Sequence, residues 1–178
     1  MQLEQLVGPI ILNRGYIEMN GLIEKYQKSI QELFPGKQIE LFATGGDTYN
    51  KKILAKDFRI TYDIKEKGLF GALYFSLYIG NVQSASWTFS PFPGCCGILV
   101  STSAYVVPSF QGKGLGSLLN NLRKDLTKEF GYSCLVCTDN IDNIPQRKIL
   151  RKNGFNDLKI FKNSRTGNTL AISCYEVI

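Results

Sequence analysis

The sequence has no histidine, only 1 Trp and 2 Met, and an odd set of 5 Cys among its 178 residues. Without histidine, the chain lacks the commonest general base of enzymes and a frequent zinc ligand. Long apolar runs are also missing, and no basic start followed by an apolar block opens the chain. We therefore expect no export signal and no membrane span, and we predict a cytoplasmic protein.

The cysteines are an odd number in a chain without an export signal, which predicts reduced thiols rather than disulfides. Cys134 and Cys137 have half of a zinc-knuckle spacing, but positions three apart in a strand face opposite sides. Core packing is the favoured interpretation, and we expect no metal site. Cys95 and Cys96 follow a Pro-Gly pair and are interpreted as turn and core residues, with a reactive thiol left open.

Length and charge limit the classes of protein that this chain can belong to. A chain of 178 residues with 44% hydrophobic content can bury a sizeable core, and we predict one domain over 1–178. The net charge of +6 predicts attraction for anions. The basic residues are spread along the chain, so a nucleic-acid-binding stripe is not indicated.

Hydrophobic spacing and turn residues predict a mixed α/β (α+β) fold. A helix over 16–34 and a loop at 44–47 are followed by strands predicted at 57–65, 69–79, 82–89 and 97–107. Short turns between these strands predict an antiparallel meander. After these strands, a stripe of leucines predicts a helix: Leu115, Leu118, Leu119, Leu122, Leu126. A strand at 134–138 is predicted to run parallel to the strand at 97–107, and a helix capped by Asp142 or Asn143 follows it. The strands predicted at 158–162 and 169–177 form a final hairpin.

The most informative stretch runs from Val106 to Ser117, where a strand leads into a glycine loop that opens a long helix. The first amides of a helix have no intrahelical partner and carry the positive end of its dipole, so a phosphate group can bind there. Gly112, Gly114 and Gly116 keep side chains out of its way. The alternative is an ordinary strand-to-helix connection without a ligand.

Spacing separates three kinds of phosphate-binding loop. A nucleotide-triphosphatase loop needs a lysine between its last glycine and Ser/Thr, and Gly116-Ser117 lacks it. A dinucleotide-binding loop needs its third glycine one residue later than Gly116. Gln111, Gly114 and Gly116 instead fit Gln-x-x-Gly-x-Gly after a Val-x-Pro strand end, which resembles the acetyl-coenzyme A loop of the GNAT superfamily of N-acyltransferases. The second helix, from Asn143 to Gly154-Phe155, matches the family's count from Asn to Gly.

The resemblance implies a central mixed, mostly antiparallel sheet with two splayed parallel strands and helices on both faces. It also implies acetyl-coenzyme A as cosubstrate. The pantetheine arm is expected along the edge of Tyr105, Val106 and Val107, held also by Asn143. The diphosphate is expected on the loop and the start of the helix, where the side chains of Lys113 and Ser117 also help to bind it. The residues expected to offer their amides are Gln111, Gly112, Lys113, Gly114, Leu115, Gly116 and Ser117.

The resemblance also implies direct attack of an amine on the thioester, with the amide of Val106 donating to the developing oxyanion. Two departures stand out: the family's usual thiolate-protonating tyrosine is Leu150 here, and the strand at 97–107 has no acid. A water ordered by strand hydroxyls is the expected proton relay, and the candidates are Ser101, Thr102, Ser103 and Tyr105. Tyr132, Cys134 and Cys137 are the further candidates to assist it.

The leading interpretation is an enzyme that acetylates a primary amine of a small molecule or protein. The alternative is a non-catalytic acyl-coenzyme A sensor or interaction module of the same fold, and a nucleic-acid-associated protein is a third reading. The acceptor is expected to approach past the first helix, Trp87, Phe89 and the loop 163–168. The oligomeric state does not follow from the sequence.

Overall fold

The computed structural model describes residues 16–18, 20–45, 53–54, 59–61, 72–95 and 97–177. The elements in this part of the chain are β1 (Tyr16–Glu18), α1 (Asn20–Leu33), β2 (Ile39–Gly45), β3 (Ile53–Leu54), β4 (Arg59–Thr61), β5 (Leu73–Ile79), β6 (Val82–Pro91), β7 (Ile98–Val106), a 3-10 turn (Pro108–Phe110), α2 (Leu115–Glu129), β8 (Cys134–Asn140), α3 (Ile144–Lys152), β9 (Asn156–Lys162) and β10 (Thr169–Glu176).

Eight of the strands form one sheet, in the order β3-β2-β5-β6-β7-β8-β10-β9. Among the described strands, only β7 and β8 pair in parallel, and every other neighbouring pair in this sheet is antiparallel. The helix α2 makes the crossover that a parallel pair requires. Strands β1 and β4 form a separate antiparallel pair. The predicted mixed sheet is therefore confirmed, and the predicted meander is confirmed for β5, β6 and β7. Its predicted first strand, at 57–65, does not join this meander where it is described, because β4 pairs with β1 and β5 pairs with β2.

The core lies between the sheet and the helices. Alternate residues of β5 are buried, and Phe75 stacks on Trp87 of β6 with ring centroids 4.8 Å apart. This alternation is expected where one face of a sheet is covered. Helix α1 contributes Ile23 and Ile30, which are buried in the same cluster as the leucines of α2.

The described helices form one connected layer, because α2 contacts both α1 and α3. Tyr26 Oη donates to Asp125 Oδ2 at 2.8 Å, which joins α1 to α2. Lys124 Nζ donates to the carbonyl oxygen of Asn153 at 3.0 Å, which joins α2 to the end of α3. The expectation of helices on both faces is met in this part of the chain by this single layer.

The N-terminal part differs from the sequence prediction. Helix α1 begins at Asn20, whereas 16–18, predicted as helix, form β1. Residues 44–45, predicted as loop, end strand β2, because β2 pairs along its whole length with β5. The predicted strand 57–65 is described only at β4, and residues 46–47 and 62–71 lie outside the described part. None of the helices described here is long and apolar enough to cross a membrane.

Candidate functional site

The parallel strands β7 and β8 separate after a short paired stretch. Their pairing runs from Ile98↔Cys134 to Ser101↔Cys137, although β7 continues to Val106 and β8 to Asn140. The unpaired ends leave a gap in the middle of the sheet. This gap is the splayed pair that the sequence analysis expected.

A β-bulge in β7 accompanies the separation. Ser86 pairs with Tyr105 and Thr88 pairs with Thr102, so Ser103 and Ala104 together oppose the single residue Trp87. Ser103 has a φ of 53°, which is unusual for a residue other than glycine. Bulges bend a strand and increase its twist. The bulge therefore turns the end of β7 relative to β8 beside the gap.

The register shows which backbone groups of β7 face this gap. The amide of Val107 donates to the carbonyl oxygen of Ser84 at 2.9 Å, which makes Ala85↔Val106 a non-hydrogen-bonded pair. The polar groups of Val106 therefore point away from β6, towards the gap. In the next pair, with Ser86, Tyr105 turns its amide to β6. Of the expected edge of Tyr105, Val106 and Val107, only Val106 offers its amide to the gap.

Gln111 fastens the end of β7 to the glycine loop. Its Nε2 donates to the carbonyl oxygen of Val106 at 2.7 Å, and its amide donates to the carbonyl oxygen of Pro108 at 3.1 Å. The amide of Gln111 is therefore not available to an anion, contrary to the sequence expectation. The carbonyl of Val106 is also occupied, which leaves its amide as the open group.

Six successive amides, from Gly112 to Ser117, have no acceptor among the described residues. The first amide of α2 to find a partner is that of Leu118, which donates to the carbonyl oxygen of Gly114 at 3.1 Å. Gly112 and Gly114 have φ values of 73° and 85°, a conformation that other residues rarely adopt. The open amides at this helix start form an anion-binding arrangement.

Helices α2 and α3 approach closely beside this loop. A Cβ added at Gly116 would lie 3.3 Å from Ile149 Cδ1, and one added at Gly114 would lie 3.9 Å from Leu33 Cδ2. Gly116 therefore lets α2 pack near α3 while its amide stays open. The sequence motif predicted these glycines for the ligand, and the structure adds their role in packing.

Two cavities flank the gap. The first, which we call the loop cavity, has a volume of about 680 Å³ and extends from the glycine loop to α3 and to β6. The second, which we call the gap chamber, has a volume of about 290 Å³ and lies between the separated ends of β7 and β8. Residues that line both cavities are Ala104, Arg123, Asn143 and Gln146.

Most of the residues predicted for the site are gathered at these cavities. The loop cavity is lined by Tyr105, Val106, Gln111, Gly112, Gly114, Gly116, Ser117 and Asn143. Ser103 lines the gap chamber. Asn143 caps α3, accepting from the amide of Gln146 at 3.2 Å, and its side-chain nitrogen donates to no described residue.

Three predicted site residues line neither cavity. Lys113 Nζ donates to the carbonyl oxygen of Ser109 at 3.2 Å and lies 5.6 Å from the ring centre of Phe34. The side chain of Leu115 is in the core, so only its amide can serve the site. The amide of Val107 donates a hydrogen bond to Ser84 of β6 and is not available to a ligand. The expected help of Lys113 with the diphosphate would require its side chain to leave these contacts.

The structure offers few side chains for the expected proton relay. Leu150 is buried in the core, and no acid takes the place of the missing tyrosine there. Tyr105 is 54% exposed at the rim of the loop cavity. Burial raises the pKa of Cys137 to about 11, so this thiol in the gap chamber is neutral at neutral pH. Hydroxyl groups are the remaining polar side chains on β7.

The expected acceptor side is not supported by the cavities. Phe89 is fully buried in the core, and neither it nor the described residues of α1 and 163–168 line the loop cavity or the gap chamber. Trp87 does line the loop cavity, and its indole nitrogen has no hydrogen-bond partner in the described part of the chain. The described part of the chain contains no cluster of metal-ligating side chains, and Cys95, Cys134, Cys137 and Cys174 are free thiols.

The sequence analysis missed two polar residues on the buried face of α2. Asn120 and Arg123 are buried and line the loop cavity. They were overlooked because the leucines alone defined the stripe. Position 123 follows Leu119 by four residues and precedes Leu126 by three, so the helical period places it on the buried face. That spacing is the signal that could have found Arg123.

Comparisons with solved structures identify the fold. The chain is similar to an IAA acetyltransferase from Bacillus cereus, with 17% identity and a TM-score of 0.55 over 60% of this chain and 78% of that one. A GNAT family acetyltransferase from Elizabethkingia anophelis, solved with acetyl-CoA bound, is 18% identical, with a TM-score of 0.53 over 60% and 76% of the two chains.

A third structure is an acetyltransferase from Salmonella typhimurium that modifies the N-terminal serine of a 50S ribosomal subunit protein; it is 15% identical, with a TM-score of 0.52 over 60% and 64%. No protein-family model and no curated protein matches the sequence. At identities this low, the likeness shows a shared fold, and it applies to the aligned part of each chain.

Proposed function

Because the chain has the fold of the GNAT acetyltransferases, we propose that it is an N-acetyltransferase that moves an acetyl group from acetyl-coenzyme A to an amine. The observation that carries this proposal is the row of open amides at Gly112 to Ser117, placed beside a gap in the sheet. The open amides can bind an anionic diphosphate, and the gap in the sheet can hold an extended arm.

The residues around the gap fit such a cosubstrate. The diphosphate binds the amides of the glycine loop, with the hydroxyl of Ser117 at the same cavity. The pantetheine arm follows the open edge of β7, and Asn143 donates to it from its side-chain nitrogen. The net charge of +6 favours the approach of this strongly anionic molecule.

The reaction is a direct transfer. The amine nitrogen attacks the thioester carbonyl carbon, a carbon-nitrogen bond forms, and the carbon-sulfur bond breaks. The amide of Val106 is the group available to donate to the oxyanion. The amine loses its proton through water ordered by Ser103 and Tyr105, and the thiolate takes a proton from solvent, because Leu150 supplies none. Positioning then provides most of the rate enhancement.

The acceptor is an amine of a small molecule or protein. The fold does not set it, since the structural neighbours named above act on quite different molecules. The single domain and the cytoplasmic location predicted from the sequence belong to this proposal. Nucleic acid has no specific support beyond the net charge.

A non-catalytic acyl-coenzyme A sensor is the second candidate, and Leu150 in the tyrosine position is the observation that favours it. Release of coenzyme A thiol in the presence of a broad amine panel separates the two functions. An enzyme releases thiol in an amine-dependent way. Tight binding of acetyl-coenzyme A with no amine-dependent release would identify the sensor.

Substitution of Gly116 by Asp tests the binding site. We expect Gly116→Asp to weaken coenzyme A binding at least about tenfold, because it adds a carboxylate at the start of α2 where the diphosphate binds. Binding is measured by isothermal titration calorimetry, with folding checked by thermal melting.

Asn121→Asp is the matched control for this experiment. It adds the same charge to the same helix, but Asn121 lines neither cavity. We expect this variant to bind coenzyme A within about twofold of wild type, since Asn121 is partly exposed and a charge further along the helix is largely screened by solvent and salt. Equal affinity of both variants and the wild type would contradict the proposed site.

A further inference from the structure

Buried hydrogen-bond donors without acceptors line one wall of the loop cavity. The indole nitrogen of Trp87 and the side-chain nitrogen of Asn120 are buried and have no hydrogen-bond partner among the residues that the structure describes. Arg123 lines the same wall and is only 4% exposed. Because buried polar groups in proteins are nearly always paired, a wall of donors indicates a ligand with acceptor oxygens.

The charge of Arg123 has no counterion in the described residues. Its guanidinium donates to Ser101 Oγ at 3.0 Å and to Asn120 Oδ1, and it forms an ion pair with no described carboxylate. Burial lowers the pKa of Arg123, which reflects the cost of the charged form. The neighbouring Cys137 is not a counterion, because burial raises its pKa to about 11.

Arg147 provides the contrast within the same molecule. It is also buried, but its guanidinium lies 2.9 Å from Asp139 Oδ2 and 2.5 Å from Asp157 Oδ2. An arginine buried for structural reasons is thus neutralised here by two carboxylates. A buried charge without a partner is costly, so the bare side of Arg123 points to a negative group supplied from outside the chain.

Arg123 lies at the closed end of the gap. Its partner Ser101 belongs to the last parallel pair, Ser101↔Cys137, beyond which β7 and β8 separate. The guanidinium also lines both the loop cavity and the gap chamber. A ligand that enters the gap can therefore reach it.

The order of groups along β7 indicates which part of a ligand meets Arg123. An acyl-coenzyme A held by the glycine loop, with its thioester at the amide of Val106, directs its acyl end into the gap, and Arg123 lines both cavities that flank the gap. We propose that the acyl group carries a distal carboxylate that pairs with Arg123 and accepts from Asn120, so that the preferred donor is the coenzyme A thioester of a dicarboxylic acid.

This inference rests on the proposed function and refines its donor. The transfer is balanced as before: the amine nitrogen bonds to the thioester carbon, the carbon-sulfur bond breaks, and coenzyme A leaves as a thiol after taking up a proton. The distal carboxylate is unchanged in the product. Acetyl-coenzyme A fits the same loop and gap but leaves Arg123 without a counterion.

The first experiment uses the wild-type protein and four probes: coenzyme A, acetyl-coenzyme A, succinyl-coenzyme A and the methyl ester of succinyl-coenzyme A. Dissociation constants come from isothermal titration calorimetry. We expect succinyl-coenzyme A to bind about tenfold to a hundredfold more tightly than its neutral ester, as is typical of a hydrogen-bonded charge pair. A ratio near one, with coenzyme A bound, would overturn the inference and leave the proposed function standing.

Variants assign the preference to Arg123. We expect the ratio between the ester and succinyl-coenzyme A to fall towards one in Arg123→Met and to be partly kept in Arg123→Lys. The control is Arg151→Met, an exposed arginine that lines neither cavity and should keep the wild-type ratio. If Arg123→Met does not fold, the same ratio of dissociation constants is measured in Arg123→Gln, and its comparison with the wild-type ratio tests the inference.

Two other outcomes are distinguishable. A wild-type protein that binds none of the four probes would overturn the proposed function together with this inference. The acceptor is tested separately, with acetyl-coenzyme A and paired amines that carry or lack a carboxylate. If Arg123→Met changes the KM for the carboxylated amine and leaves the donor ratio unchanged, the carboxylate belongs to the acceptor and the inference is wrong.

Discussion

Gln111 and the glycines after it show how single residues build the site. The Gln111 side chain holds the carbonyl of Val106, so the strand end and the loop are fixed relative to each other. Its own amide is used within the 3-10 turn, and the open amides begin at Gly112. The first residue of the Gln-x-x-Gly-x-Gly motif therefore positions the loop, and its glycines leave the amides open.

Ser103 is a second residue with a defined structural cost. Because its φ is 53°, a β-branched side chain at this position is strained. We expect Ser103→Val to lower the free energy of unfolding by about 1–3 kcal/mol and Ser103→Gly to change it by less than about 1 kcal/mol. Urea unfolding measures both values.

Thr102→Val is the control for this prediction, since Thr102 is an exposed neighbour on the same strand with an ordinary backbone. We expect it to be close to wild type. If Ser103→Val is as stable as Thr102→Val, the bulge is not strained in the way that its backbone angle indicates.

The sequence predicted the residues of the loop and missed those of the gap wall. Gly112, Gly114 and Gly116 can be recognised from the sequence, because glycine is the residue typical of a backbone with positive φ or of close approach by a ligand. Ser103 carries no such signature: its bulge arises from pairing with β6, which is distant in sequence. Arg123 has the right helical spacing, but a charged residue is not assigned to a buried face by pattern alone.

At the scale of elements, a charged network fixes α3 against the sheet. Arg147 of α3 pairs with Asp139 of β8 and Asp157 of β9, and the hydroxyl of Ser173 on β10 lies within hydrogen-bond distance of both carboxylates. Although burial acts to raise it, hydrogen bonds from Arg147 and Ser173 lower the pKa of Asp157 below its ordinary value. The network holds the helix whose N-terminal residue, Asn143, faces the gap.

This network predicts a dependence of stability on pH. A lowered pKa in the folded state means that Asp157 stabilises the fold above its ordinary pKa of 3.8, and that this contribution is lost as the pH falls through the folded value. We expect Asp157→Asn to lower the free energy of unfolding at pH 7 by about 1–2 kcal/mol. The difference from wild type should shrink as the pH falls below 3.8.

Urea unfolding at neutral and acidic pH measures this effect, with Asp142→Asn as control. Asp142 is exposed and belongs to no ion pair of the described residues, so its loss should change stability little at either pH. A difference between Asp157→Asn and wild type that stays constant down to about pH 2, well below the ordinary range of aspartate, would contradict the account.

The sequence predicted the elements from β5 to β10 closely, because each has local start and stop signals. Asn143 and Pro145 mark the start of α3, and Gly131 follows the end of α2. The strand β2 was not predicted, and its last two residues, Thr44 and Gly45, were assigned to a loop because they are typical loop residues. Its pairing with β5 decides its structure, and such long-range pairing overrides local preference.

For the whole molecule, the order of strands explains why the site lies where it does. The parallel pair is in the interior of the sheet, and α2 crosses between its two strands. The carboxyl end of β7, the start of α2 and the start of α3 therefore meet around one gap. The sequence could predict this arrangement from its right-handed crossover, whereas the cavities and the donor wall depend on packing that no local pattern encodes.

The most direct test of this account follows the backbone amides by nuclear magnetic resonance while coenzyme A is added. We predict that the largest ¹H and ¹⁵N shift changes occur at the open amides from Gly112 to Ser117, and that the bonded amide of Gln111 changes less. Saturable binding of coenzyme A that leaves those amides unchanged, or no binding at all, would contradict the central claim that they hold its diphosphate.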